Sequence, residues 1–274
     1  SNLASRTTND FRLAYTNRIL ENQANVRLPR AWVNVSSALP TGGTGTNQVL
    51  QFGGQRTSPE LQTEVSYQLV NVLRLDRDRS AFTLGTDHSL NDLSMFVSIE
   101  TDGLFQFPNL AALEARRPSS FARLVPLQEL EPRMNQWVYD GGAFAQAEFR
   151  PRNNLTLSAG LRADVSAFLS AANRNEAVEQ AFGRRTDVKP TDFALQPRAQ
   201  ATWTPGTSGR HLLRAGSGYF TAQPHYMVQI NHLLNDGSQL ADVLLTGNAV
   251  PTPDFVSYRE SFANVPGVPA GATQ

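Results

Sequence analysis

Apolar and polar residues alternate with a period of two over residues 155–165, LTLSAGLRADV. Leucine, alanine or valine occupies every odd position, and the even positions hold Thr156, Ser158, Arg162 and Asp164 together with a glycine. Successive side chains of a β-strand point to opposite faces of a sheet, whereas a helix with this spacing would mix the two sets. The segment therefore predicts a strand with one apolar face and one polar face.

The same alternation recurs along the chain. Strict alternation is found over 10–16 and 198–203, and a looser form over 64–75, 81–88, 136–149 and 211–220. Together with 155–165, these segments predict seven strands.

The connections between these strands differ sharply in length. The short ones, 76–80, 150–154 and 205–210, are rich in the Gly, Pro, Asn, Asp and Ser residues that tight turns favour. The long ones are near 19–61, 89–133, 166–191 and 222–274. Long structureless loops are uncommon in compact soluble domains, and alternating short turns and long loops are typical of outer-membrane barrels.

We therefore expect an all-β fold, an antiparallel up-and-down meander that forms part of a transmembrane β-barrel, with residues 1–274 as one partial barrel domain. Short turns would lie at one end and long loops at the other. Phe149 and Trp203 lie at strand ends next to short turns, where an interfacial girdle of aromatic residues is expected.

Composition excludes several other classes of protein. The chain has no cysteine, which removes disulfide frameworks and thiolate chemistry. Its 24 basic and 24 acidic residues cancel, so no net charge favours nucleic acid as a partner. No run of 18 or more apolar residues occurs, as a transmembrane helix would require.

Chemistry-bearing motifs are incomplete throughout. His225 and His232 share one loop without an acidic residue at a ligand spacing, and Asp76 and Asp78 lack the glycine and glutamate of a calcium loop. The glycine-rich segment 41–47 lacks the ending of a phosphate loop, and no GxSxG elbow is present. We expect no catalytic residue, no metal site, no cofactor and no enzymatic activity.

The charged residues of the polar faces are the candidate contacts. They would face the barrel lumen, where they could touch a ligand or a plug: Arg12, Arg162, Asp164, Arg198 and Arg214. An arginine facing lipid would cost about 2 to 4 kcal/mol at the bilayer midplane, which favours the lumen. We expect these charges to form ladders between neighbouring strands in preference to direct ligand contacts, with the long loops as the main binding surface.

Two shorter segments complete the prediction. Residues 108–117, PNLAALEARR, have a proline in the first turn and basic residues near the end, which predicts a short surface helix. The tail from Asn248 onward is expected to be loop-like.

Three blocks of the sequence resemble the barrel region of TonB-dependent receptors, in particular the Oar-like subgroup that carries a carboxypeptidase-regulatory-like domain. They are FQFPNLAALEARRPSSFAR, GAFAQAEFRPRNNLTLSAGLRAD, and LQPRAQATWTP followed by RHLLRAGSGYF. The resemblance implies a segment of a bacterial outer-membrane receptor that binds and imports a ligand. Its implied partners are outer-membrane lipid, a plug domain, the remaining barrel strands and the TonB complex.

The chain departs from that family in several respects. It shows no plug domain, no TonB box and no terminal strand with an aromatic end, and Ala147 stands where family members often have an acidic residue. Seven strands fall short of the 22 that such transporters use, and seven is an odd number. We therefore expect further strands beside both 10–16 and 211–220.

Two alternatives remain open at the level of sequence. One is a passive porin or adhesin-like barrel, which would show the same alternation. The other is a soluble secreted β-protein with a carbohydrate- or partner-binding role, in which the apolar face of 155–165 would pack against a second sheet.

Overall fold

The computed structural model of the chain describes residues 2–4, 6–36, 45, 47–97, 99–127, 133–206, 209–222, 226, 233 and 237–269. Its strands, in chain order, are β1 (Asn2–Ala4), β2 (Thr7–Asn22), β3 (Arg30–Ser36), β4 (Asn47–Gly53), β5 (Glu60–Arg77), β6 (Ser80–Val97), β7 (Leu104–Phe107), β8 (Ser120–Pro126), β9 (Met134–Arg152), β10 (Leu155–Phe168), β11 (Thr191–Trp203), β12 (Leu213–Gly218) and β13 (Leu240–Thr246). Its α-helices are α1 (Leu110–Glu114), α2 (Glu176–Phe182) and α3 (Phe255–Glu260).

Eight strands form one sheet, which we call the barrel sheet, in the order β1-β2-β5-β6-β9-β10-β11-β12. Every neighbouring pair is antiparallel. All seven strands predicted from the sequence correspond to strands of this sheet, and β1 is an eighth, short one. The predicted all-β antiparallel meander is confirmed.

Short turns lie at one end of the barrel sheet. Arg77 pairs with Ser80 across the turn between β5 and β6, and Arg152 pairs with Leu155 across the turn between β9 and β10. Hydrogen bonds link neighbouring turns: the Asn154 side chain donates to the Thr204 carbonyl at 3.1 Å, and the Thr204 amide donates to the Asn154 carbonyl at 2.9 Å. Polar groups of these turns thus find hydrogen-bond partners in a neighbouring turn.

The opposite end carries the long connections, and three of them contain a second sheet, which we call the loop sheet. Its order is β13-β8-β7-β3-β4, with β3 and β7 parallel and the other pairs antiparallel. The prediction of strand-free loops is therefore wrong for 19–61, 89–133 and 222–274. Two of its pairings, β3–β4 and β7–β8, lie within one connection, and the other two, β3–β7 and β8–β13, join different connections.

Aromatic packing holds the loop sheet together. Ala31, Val33, Phe105, Phe107 and Phe121 are buried, and the Phe105 and Phe121 ring centroids lie 4.5 Å apart. Helix α3 adds Tyr258, whose ring stacks on Phe105 at 6.2 Å. Alternate apolar residues of β3 and β7 thus bury one face, as strand geometry requires.

Two ion pairs join the residues at and just before the start of β3 to the residues just before β7. The Arg27 Nε atom donates to Asp102 Oδ1 at 2.8 Å, and Arg30 pairs with Glu100. Burial raises the pKa of the Asp102 carboxyl group, an effect that the hydrogen bond from Arg27 opposes. Burial also lowers the pKa of the Arg123 guanidinium, while its attraction to Asp102 raises it.

The helical predictions had mixed outcomes. Helix α1 lies within the predicted 108–117 segment, and the Asn109 side chain caps it by accepting from the Ala112 amide at 2.8 Å. Helix α2, inside the predicted 166–191 loop, was missed. The tail prediction is wrong in part, because Phe255–Glu260 is helical with Asp254 as its N-cap.

Both lateral edges of the barrel sheet are open within the described residues. Strand β1 pairs only with Thr7 and Thr8, so residues 9–22 of β2 have no partner on that side among them. Strand β12 pairs only with β11, and β2 and β12 do not pair with each other in the described part of the chain. A closed eight-stranded barrel is therefore not what these residues form.

Candidate functional site

The five candidate residues share the polar face of the barrel sheet. The strand register places Arg162 opposite Gln196, Asp164 opposite Ala194, and Arg198 opposite Gly160. By the same alternation Arg214 and Arg12 lie on this face of β12 and β2, opposite Thr202 and Val70 respectively. Whether they touch a ligand stays a prediction.

Arg162 and Asp164 form the centre of the site. The Arg162 Nη2 atom lies 2.7 Å from Asp164 Oδ1, and Nε donates to Oδ2 at 2.9 Å, so the pair is bidentate. The Gln196 side chain also donates to Asp164 and reaches Thr221 Oγ1 at 2.9 Å. These contacts connect β10, β11 and the segment that follows β12.

Two glycines make room for this arrangement. A Cβ atom on Gly142 would overlap the Asp164 carboxylate and would lie 2.6 Å from Arg162 Nη2. On the neighbouring strand the Phe144 ring covers Gly85, where a Cβ atom would collide with it. The Arg162 guanidinium carbon lies 6.0 Å from the Phe144 ring centroid, at the outer limit of a cation–π contact.

A cavity of about 500 Å³ opens over these residues on the polar face. Hydroxyl, amide and carboxylate side chains dominate its lining, which includes five carboxylates and one arginine. The lining side chains that bear a charge or an aromatic ring are Glu64, Asp87, Asp140, Asp164, Asp192, Arg162 and Tyr226. The cavity is therefore polar and, on its own side chains, negatively charged.

Most of the carboxylates are already paired. Glu64 accepts from Arg18 at 2.7 Å across β2 and β5, and Asp87 accepts from Gln68 at 2.8 Å. Asp140 accepts from the Tyr226 hydroxyl through Oδ2. Its Oδ1 atom is buried without a hydrogen-bond partner among the described residues.

Tyr226 marks the boundary between the cavity and an apolar cluster at the long-loop end. Burial, together with its bond to Asp140, raises the pKa of the Tyr226 hydroxyl. The cluster consists of the buried residues Leu93, Met95, Met134, Val138, Phe168, Ala172 and Leu233. Residues from two long connections thus pack on the polar face above the cavity.

Three of the candidates lie outside the cavity. Arg12 contacts Asp10 at 3.5 Å, with both side chains exposed, and Arg214 is exposed. The Arg198 Nε atom is buried without a partner among the described residues. The expected ladder between neighbouring strands is wrong for Arg162 and Arg12, since each pairs with an acid two residues away on its own strand, where side chains share a face.

Sequence reasoning missed most of the cavity. Gln196 could have been predicted, because it lies two residues from Arg198 and therefore on the same polar face of β11. No sequence pattern indicated Asp140 or Tyr226, since their contact joins β9 to a residue of a distant connection.

The histidines do not form a metal centre in the part of the chain that the structure describes, where no group of three metal-ligating side chains occurs. His88 lies on the apolar face of β6, and its Nδ1 atom is 2.8 Å from the Tyr139 hydroxyl. His211 is exposed. His225 and His232 lie outside the described residues.

The opposite face of the barrel sheet is apolar and uncovered. Leu157 and Leu161 of β10 remain 40% and 44% exposed, and in the part of the chain that the structure describes no second sheet packs on them. That exposure argues against the soluble alternative, which required such packing. The exposed large residues of this face on the other strands include Phe11, Leu13, Tyr15, Tyr67, Leu69, Phe82, Leu84, Phe149, Phe193, Leu195 and Trp203.

Comparison with protein families decides the class. The family model for an outer membrane beta barrel domain matches residues 2–274. The chain belongs to that family. No curated protein and no solved structure matches the chain significantly. Membership of the outer membrane beta barrel domain family locates the protein in the bacterial outer membrane, with the apolar face toward lipid.

Aromatic residues mark both edges of the lipid-facing band. Tyr139 and Phe149 lie ten residues apart on the lipid face of β9, which is roughly 34 Å at about 3.4 Å per residue. A strand tilt of about 40° reduces that distance to roughly 26 Å of height, close to the apolar band of about 25 Å in outer-membrane barrels. No described helix has the length and apolar character needed to cross a membrane.

Proposed function

We propose that this outer membrane beta barrel domain is a segment of a TonB-dependent receptor that binds a ligand and imports it across the outer membrane. The observation that carries the proposal is the polar cavity of about 500 Å³, which lies on the lumen face beneath packed residues of the long connections. The three sequence blocks that resemble TonB-dependent receptors support it independently.

The cavity's lining indicates how a ligand would be held. Side-chain oxygens and amides converge from five neighbouring strands, and Arg162, Asp164 and Gln196 are already linked by hydrogen bonds. Preorganised polar groups of this kind give orientation and specificity to a binding site. Because carboxylates outnumber basic groups in the lining, the cavity would favour a ligand rich in hydrogen-bond donors.

The open edges of β2 and β12 support the proposed partners. Unpaired backbone groups in lipid cost several kcal/mol each, so strands must cover both edges in the membrane. We propose that the remaining barrel strands do so, that a plug domain fills the lumen, and that the TonB complex supplies energy. We further propose that the protein catalyses no reaction.

Uptake measurements in living cells test this function. Cells lacking the gene and cells lacking TonB are grown on scarce nutrients supplied one at a time, and the two strains should share a growth defect. Wild-type protein should restore uptake, whereas the double variant Asp164→Asn, Gln196→Ala should lower its rate about tenfold. Gln200→Ala, at an exposed position on the same face of β11 outside the cavity, is the control and should restore uptake fully.

Two outcomes would contradict the proposal. A growth defect of the gene deletion that loss of TonB does not reproduce would exclude energised import. A large steady ion conductance of the purified protein in planar bilayers would favour the passive porin.

A further inference from the structure

A groove of about 480 Å³ runs along the lipid face of the barrel sheet near its long-loop end. On one side it is bounded by Tyr15 and Tyr67, whose ring centroids lie 5.5 Å apart. On the other side lie His88 and Tyr139, and Leu69 and Leu90 line the space between. None of the described residues that line the groove is an aspartate, glutamate, lysine or arginine.

The Tyr139 ring lies flat along its strand. A Cβ atom on Gly141 would overlap the Tyr139 hydroxyl and would lie 3.0 Å from His88 Nδ1. The ring therefore extends over Gly141, away from the long-loop end of β9, and its hydroxyl meets His88 at 2.8 Å. This tyrosine does not direct its hydroxyl toward the water above the membrane, as interfacial tyrosines commonly do.

Counting donors shows that the His88–Tyr139 pair is incomplete. A neutral imidazole has one N–H and a phenol has one O–H, and only one of these two donors is used in the bond between them, whichever tautomer is present. Neither side chain has another partner among the described residues. Among the described residues, one polar hydrogen of the pair is therefore left without an acceptor on a face that lies in lipid, where an unmet donor is costly.

The height of the pair matches the boundary between headgroups and acyl chains. Tyr15, Tyr67, Leu90 and Tyr139 form one row across four strands, and His88 lies in the next row, beside Leu69. Two residues along a tilted strand correspond to roughly 5 Å of depth below the tyrosine row. Interfacial aromatic rings mark the headgroup level, so the pair lies just beneath it.

We propose that this groove binds an acyl-ester lipid of the outer leaflet, whose ester carbonyl accepts the spare hydrogen of the His88–Tyr139 pair. The acyl chain lies against Leu69 and Leu90 between the two aromatic walls. A lipid fits better than a protein surface, because the groove is uncharged, opens toward the bilayer and offers one unpaired donor. The inference rests on membership of the barrel family and is independent of the import function.

Thermal unfolding in two lipids tests the proposal. The protein is reconstituted in liposomes of diacyl phosphatidylcholine or of its dialkyl ether analogue, which has the same headgroup but no ester carbonyl. Wild-type Tm should be higher in the ester lipid by about 2 to 4 °C, the shift expected for one hydrogen bond in a protein of this size. Tyr15 and Tyr67 are at least half exposed and can reach the headgroup, which both lipids share.

Variants of His88 and Tyr139 test whether the pair supplies the hydrogen-bond donor. His88→Leu and Tyr139→Phe each leave one donor in the groove, so each single variant should keep the ester preference. The double variant has no donor and should lose it. Tyr219→Phe removes an exposed tyrosine hydroxyl beside the last strand of the sheet and should behave as wild type.

Three results would overturn the inference. They are equal Tm values of the wild-type protein in the two lipids, an ester preference that survives in the double variant, and a change of oligomeric state in the double variant that accounts for its Tm. The last result would assign the groove to a second copy of the chain. The single variants keep the test decisive if the double variant does not assemble, because loss of the preference in both would contradict the donor count.

Discussion

Gly142 and Arg162 occupy adjacent strands so closely that a Cβ atom on Gly142 would lie 2.6 Å from Arg162 Nη2. The missing side chain is what allows the guanidinium to form its bidentate pair with Asp164 at this height in the lumen. A backbone position thus determines a side-chain arrangement on the next strand.

Gly142→Ala should therefore separate the Arg162–Asp164 pair or shift β9 relative to β10. We expect a loss of about 1 to 3 kcal/mol in the free energy of unfolding, the usual cost of adding a methyl group to a filled site. Urea unfolding in detergent micelles measures it. Gly267→Ala is the matched control, since a Cβ atom there meets nothing within 4 Å, and equal losses in both variants would refute the steric account.

The two faces of β10 should respond oppositely to charge. Leu161→Arg places a guanidinium in lipid near the midplane, at about 2 to 4 kcal/mol, and should reduce the assembled fraction in outer membranes. Leu157 pairs with Phe149 at the edge of the lipid-facing band, where the cost falls to about 0 to 1 kcal/mol, so Leu157→Arg should reduce that fraction less. Arg162→Gln keeps a polar side chain on the lumen face and should assemble normally. The yield of protease-protected protein in outer membranes measures assembly. Equal assembly defects at all three positions would contradict the face assignment.

The loop sheet should show a pH dependence that originates in Asp102. Because its folded pKa is raised above the value in the unfolded chain, folding favours the protonated form. The contribution is fully present below the unfolded pKa and is lost as pH rises through the raised folded value. Asp102→Asn should remove this dependence from Tm profiles at acidic pH, and a profile identical to wild type would contradict the prediction.

Arg123 should hold the segment after α3 on the loop sheet. Its guanidinium is buried and donates to the carbonyls of Thr101, Val265 and Pro266 at 2.8 to 3.0 Å. Arg123→Met leaves those acceptors unmet, so limited proteolysis near residues 262–269 should be at least tenfold faster. Arg259→Met, at an exposed position, is the control, and equal cleavage rates in the two variants would argue against the tether.

The strands of the barrel sheet could be predicted because their signal is local. Two-residue alternation and turn residues such as Asn153 and Asn154 lie next to each other in sequence, and the lipid requires one face to stay apolar along the whole strand. Strand ends were less accurate: β2 continues to Asn22, past the predicted limit at Thr16, because the polar and apolar residues there no longer alternate strictly.

The loop sheet could not be predicted in the same way. Its strands are short, and its order depends on two pairings between different connections: Ala31 pairs with Phe105 and Asp242 with Leu124. A seven-residue segment such as RAWVNVS alternates and pairs with the nearby β4, yet nothing near it in the sequence indicates that β7 will pair with its other edge. The cavity was missed for the same reason, since the contact between Asp140 and Tyr226 spans 86 residues.

The central claim is that the odd residues of 155–165 face lipid and the even residues face the lumen. The chain contains no cysteine, so a single cysteine introduced at each position in turn gives a unique site in this region for a nitroxide label. In liposomes, labels at 157, 159, 161, 163 and 165 should collide preferentially with oxygen, which concentrates in lipid. Labels at 156, 158, 162 and 164 should collide preferentially with a water-soluble nickel complex. Accessibility without a period of two, or with the opposite phase, would contradict the account.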